Sequence, residues 1–123
     1  MKIILVIGLG SCIGGISRYL LSQFIQNKFL SAFPFGTMSV NIIGCFLIGI
    51  IFGLSERGNF TMEWRLFLVT GFLGGFTTFS SFSNETVALF RDGQIWHAFT
   101  YITTSVVIGL LATFTGISLI KFL

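Results

Sequence analysis

Four apolar runs, separated by short polar turns, set the limits on how this chain can fold. A helix needs about 20 apolar residues to cross the hydrocarbon core of a bilayer. Runs near that length fall at residues 3–25, 36–54, 63–90 and 95–119. The turns carry the polar residues: Gln26, Asn27, Lys28 and Ser31, then Ser55 to Met62 with Glu56, Arg57, Gly58 and Asn59, then Arg91-Asp92-Gly93-Gln94. Charged residues make up 9% of the chain, against about 25% in soluble domains, and the mean hydropathy is +0.95. The expectation is one all-α membrane domain over residues 1–123 with four transmembrane helices. Four helices enclose little space, so a pore or cavity calls for an oligomer.

Several classes are excluded. The net charge is +3 with no basic run, so nucleic acid is not a partner. One His and two Cys far apart give no metal-ligand spacing. Cys12 and Cys45 lie inside apolar runs and read as small buried packing residues. No nucleophile–base pair is evident, so the chain does not read as an enzyme. Lys2, an apolar run and Leu9-Gly10-Ser11-Cys12 loosely resemble a lipoprotein signal. The apolar part before the cysteine is at the lower limit of a signal, about seven residues, and the pattern continues beyond it, so the first run reads as a retained helix.

Within the runs, a few residues stand out. Gly10 and Gly14 form a small-xxx-small pair that admits a neighbouring helix. Arg18 lies near the far end of the first helix, placed either to snorkel to headgroups or to take a structural or water-vestibule role. Pro34 suits a helix start because its missing N–H would have been unbonded anyway. Asn41 is a carboxamide inside the second span; burying it without partners costs several kcal/mol. It therefore makes an interhelical hydrogen bond or faces a pore. His97 beside Trp96 reads as an interfacial belt, and Tyr101 and Ser105 share a face of the fourth helix.

With four spans, Lys2, Arg57, Arg65 and Lys121 fall on one side and Lys28, Arg91 and an outward-reaching Arg18 on the other. Topology follows the Lys and Arg excess in short loops. Here that excess is slight, which permits insertion in both orientations and hence an antiparallel homodimer.

The third run contains Gly71-Phe72-Leu73-Gly74-Gly75-Phe76-Thr77-Thr78-Phe79-Ser80-Ser81-Phe82-Ser83-Asn84-Glu85. Glycine and β-branched threonine weaken a helix. Unwound backbone at membrane depth persists only against protein or a water-filled cavity. A break from Gly74 to Thr78 is expected, freeing carbonyls that could hold a hard cation such as Na⁺ if they faced their twins across a two-fold axis. Phe79 and Phe82 share a helix face, with Ser80 and Ser83 in the next row. Ring edges are weakly positive, so such a track attracts an anion without a fixed charge. The hydroxyls of Thr78, Ser80 and Ser105 and the amide of Asn41 can donate to the same ion. Without a basic group at mid-membrane the ion is not trapped, as conduction requires.

The chain resembles the Fluc fluoride channels of bacteria and archaea. The carrying residues are Gly14-Gly15-x-x-Arg18-Tyr19, Pro34-x-Gly36-Thr37-x-x-x-Asn41-x-x-Gly44, the long motif from Gly71 to Glu85, and Tyr101-x-x-x-Ser105. Ser81 stands where threonine is common, a mild departure. The resemblance implies a dual-topology antiparallel homodimer in the prokaryotic inner membrane, with two pores and one structural Na⁺ at its centre. It also implies passive, selective fluoride export that relieves cytoplasmic toxicity. Phe79 and Phe82 would be the pore phenylalanines and Asn41 the pore-facing amide. Thr78, Ser80, Ser83, Tyr101, Ser105 and the Glu85 carboxylate would form a polar track. Gly74 and Thr77 would offer carbonyls to Na⁺, and Arg18 would be a vestibule or structural cation.

A small multidrug-type cation/proton antiporter is the rival of similar size and topology. It wants a membrane-embedded carboxylate in the first helix, and residues 3–25 contain none. A non-conducting membrane subunit is the second rival.

Overall fold

A computed structural model describes residues 1–58 and 60–123; Asn59, assigned above to the second polar turn, lies outside the described residues. Among the described residues, four helical spans are long and apolar enough to cross a membrane. They are α1 (Lys2–Gln26), α2 (Phe35–Glu56), a divided third span (Met62–Arg91) and α5 (Ile95–Lys121). The third span consists of α3 (62–76) and α4 (Phe79–Arg91). Within α3, a short α-turn at Met62–Arg65 leads into a π-helical stretch at Leu66–Leu73 and then Gly74–Phe76. Each end lies within a few residues of the sequence expectation, but the break is narrower. Gly74 and Gly75 stay helical, and only Thr77 and Thr78 are extended, at φ/ψ −91°/155° and −149°/115°. The π-helical stretch was not expected.

Local chemistry sets these boundaries. Thr61 caps α3 by accepting the Trp64 N–H, and Thr78 caps α4 by accepting that of Ser81. Gly93 ends α4 at φ 77°, and the Gly93 and Gln94 N–H groups donate back to Phe90 and Leu89. In the first turn, the Gln26 amide donates to the Ser31 and Phe33 carbonyls and accepts the Gly36 N–H, tying the two ends of the α1–α2 connection together.

Large buried side chains are few: Phe33, Leu89 and Tyr101 pack together with Ala98 beside Phe35, Met38 and Phe82. Most other apolar side chains, such as Leu5, Leu9, Phe24, Leu110 and Phe114, are exposed on the bundle surface, as suits a lipid solvent. Elsewhere the interior is made of close backbones. A β-carbon on Gly10 would lie 2.5 Å from the Phe67 carbonyl, and one on Gly75 would lie 2.6 Å from that of Ser11. Gly10 thus meets Gly71, Gly14 meets the Phe72 backbone, and Gly75 meets Ser11 and Gly15 across the α1–α3 contact. The α2–α5 contact is similar: Thr113 donates to the Cys45 carbonyl at 2.9 Å beside Gly49 and Gly116. Cys12 corrects the sequence reading, because it is exposed, whereas Cys45 is half-buried. In a helix apolar on every side, sequence alone does not say which face is packed.

One end of the bundle gathers the Lys2–Glu63 ion pair at 3.2 Å, the Arg65–Ser55 bond at 2.6 Å and the Arg57 contact to the Lys121 carbonyl. The N-terminus, the α2–α3 connection and the C-terminus therefore share one end, as four crossings require.

Candidate functional site at the helix break

The site grows out of the two extended residues. An unbroken helix would return the Thr78 N–H to the Gly74 carbonyl and the Phe79 N–H to that of Gly75. Instead the Thr78 N–H donates to Asn41 Oδ1 at 2.8 Å, and Asn41 Nδ2 donates to the Thr78 carbonyl at 3.0 Å. One amide from α2 therefore holds both sides of a single peptide residue in the broken strand. On the opposite side of the break, Arg18 Nε donates to the Gly75 carbonyl at 3.0 Å. Side chains from two other helices thus satisfy backbone that the break unpaired, which membrane depth demands.

Beside the break lies an open groove of about 450 Å³. Asn41, Gly74, Thr77, Thr78, Phe79, Phe82 and Ser105 line it, with apolar walls from Cys45, Ile48 and Leu73. The structure thus brings seven of the sequence-expected residues to one place. Ser105 is among the residues lining the groove, and its Oγ is buried without a hydrogen-bond partner. The Phe79 and Phe82 ring centroids are 5.7 Å apart. The Phe79 ring is 79% exposed, so its chemistry faces outward from the single chain.

A second polar cluster adjoins the groove. Thr37 donates to Glu85 Oε1 at 2.6 Å and the Tyr101 hydroxyl to Oε2 at 3.3 Å. The Phe82 ring lies over Tyr101 with centroids 5.0 Å apart and joins the two clusters. Ser80 is connected through its contact with Thr78 Oγ1 at 3.3 Å. Ser83 is exposed on α4 and does not line the groove, and Arg18, on the α1 side of the break, does not line it either. Sequence reading assigned no role to Thr37, although it stands four residues before Asn41 on the same helix face. It also missed Gly75 as the acceptor for Arg18. Among the described residues, no group of three or more His, Cys, Asp or Glu side chains is placed to hold a metal ion; any hard cation here would rely on backbone oxygens.

A family model for CrcB-like proteins, described as camphor resistance (CrcB), matches residues 5–117. The chain belongs to the CrcB-like family. Its relatives include a protein of Flavobacterium psychrophilum, 45% identical over 98% of this chain and 98% of its own length. Another, from Phocaeicola vulgatus, is 46% identical over 95% of this chain and 97% of its own, and one from the archaeon Pyrococcus horikoshii is 42% identical over 98% and 97%. All three are named fluoride-specific ion channel FluC. The resemblance carried by the motif on the third span is borne out over nearly the full length. With four spanning helices and relatives from bacteria and an archaeon, the chain is a multi-pass prokaryotic membrane protein.

Proposed function

We propose that this chain is a passive fluoride channel and that the groove at the break forms part of its conduction path. The observation that carries this reading is the groove's chemistry. Neutral donors from Asn41, Thr78 and Ser105 stand beside two phenyl rings, and among the described residues no basic side chain lines it. Fluoride is a compact anion that accepts hydrogen bonds strongly. Ring edges and hydroxyls attract it without the deep well that a buried cation would create. The relatives' names supply the ion, and they name channels rather than enzymes. Glu85 continues the polar path from the groove through Phe82 and Tyr101, its carboxylate held by Thr37 and Tyr101. The same engagement of both its oxygens, and the absence of a carboxylate in α1, leave the antiporter reading without support.

The exposed Phe79 ring and the open groove fit a second copy of the chain, and the weak charge bias suits an antiparallel homodimer. The break also fits a backbone-bound Na⁺. The Gly74 carbonyl loses its helical donor to Asn41, and Gly74 and Thr77 both border the groove. Unwound carbonyls at the C-terminal end of a half-helix suit such an ion. Gly74 and Thr77 of each copy would hold it by main-chain oxygens, and when bound it would neutralise the negative ends of facing half-helices.

Liposomes containing the purified protein and loaded with potassium fluoride provide the test. Fluoride should leave passively once charge is balanced by an ionophore, while chloride-loaded liposomes retain their anion. Fluoride release no faster than from protein-free liposomes would reject the channel.

A further inference from the structure

Arg18 is the basic residue inside the membrane-spanning part of α1, and it occupies a specific place on that helix. Gly10, Gly14 and Arg18 follow one another at four-residue intervals and so form a single ridge. The two glycines press the α1 backbone against α3, where a β-carbon at either position would overlap the Phe67 or Phe72 backbone. Gly75 in turn rests on α1 so closely that a β-carbon there would meet Ser11 and Gly15. One turn beyond Gly14 the ridge reaches the break, and Arg18 donates from Nε to the Gly75 carbonyl. The only ion pair among the described residues joins Lys2 to Glu63, so no carboxylate competes for Arg18.

We infer that Arg18 is a positioning residue that seals the C-terminal end of half-helix α3 by its Nε hydrogen bond to Gly75, rather than acting as a free charge. The bond satisfies a carbonyl that the break unpaired. It withdraws the Gly75 oxygen toward α1, leaving the neighbouring Gly74 backbone to the groove side. Arg18 and Asn41 then hold the break from opposite flanks, and the extended Thr77–Thr78 pair that aims α4 is fixed between them. For ion flux the inference rests on the channel reading; for the geometry of the break it does not.

The atom that makes the bond allows charge and donor to be separated. Nε of arginine and Nε2 of glutamine stand the same number of bonds from the backbone. Arg18→Gln therefore keeps a donor at that position without the charge, Arg18→Lys keeps the charge and moves the donor outward, and Arg18→Met keeps neither. Two measurements apply to full-length protein in liposomes: fluoride efflux, and hydrogen–deuterium exchange of peptides covering residues 74–82. Arg18→Gln should behave as wild type in both. Arg18→Met should exchange faster and conduct less, each on the order of tenfold, as expected for leaving a buried carbonyl without its donor. Wild-type behaviour of Arg18→Lys with failure of Arg18→Gln would overturn the inference in favour of a free charge. Exchange at 74–82 that is unchanged in Arg18→Met, or as fast in Arg18→Gln as in Arg18→Met, would also overturn it. If wild type itself conducts no fluoride, the channel reading fails, and the exchange comparison still decides the role of Arg18.

Discussion

The two halves of the third span are held by different forces. In α3 the buried residues are Gly71, Leu73 and Phe76, and the contact with α1 is backbone against backbone. In α4 only Thr86 and Leu89 are buried, while Phe79, Ser80, Ser83 and Asn84 are exposed. Close approach fixes α3, leaving no room for an added methyl. Ring contacts and a few hydroxyls hold α4 and leave one side open. One continuous apolar run therefore yields a foundation and a working surface, and substitutions in the two should fail differently.

The largest effect is expected in the foundation. Gly14→Val places side-chain carbon where the Phe72 backbone already lies, and such overpacking costs about 3 kcal/mol or more. Thermal unfolding in detergent should show loss of the folded protein; a melting curve like that of wild type would break the contrast. On the working surface, Phe82→Ile removes the ring that joins the groove to Tyr101. An aromatic contact of this kind is worth about 1 kcal/mol, so flux should fall by about fivefold while helix content stays constant. Undiminished flux would remove the ring from the conduction path. Ser105→Ala is the finest test, because its hydroxyl has no partner within the chain. Melting should shift by less than about 0.5 kcal/mol, whereas fluoride efflux should fall by about threefold, the scale of one weak hydrogen bond. A loss of stability without a change in flux would assign Ser105 to the foundation instead.

Much of this was legible in the chain. The apolar runs gave four spans to within a few residues, and the glycines and threonines after Gly71 placed the break. Its extent was overestimated because Gly74 and Gly75, poor helix formers alone, are kept helical by packing and by bonds from outside their helix. Arg18 and Gly75 are 57 positions apart, and nothing in local periodicity joins them. Asn41 drew attention as a costly amide, yet the sequence left its role divided between an interhelical bond and a pore-facing donor; the structure shows its bonds to Thr78 and places it on the groove wall. The exposure of Cys12 was illegible for another reason: a helix bathed in lipid shows no polar face by which to orient it.

The π-helical stretch at Leu66–Leu73 bears on the direction in which the break faces. Such winding places about one more residue in each hydrogen-bonded ring than an α-helix does, and one residue corresponds to about 100° of rotation. The stretch therefore works as a phase adjuster. It sets the angular bearing at which the chain arrives at Gly74, so that Gly75 can point to α1 while Thr78, three residues later, points to α2. The compass direction of the break is written in the pitch of the eight residues that lead into Gly74.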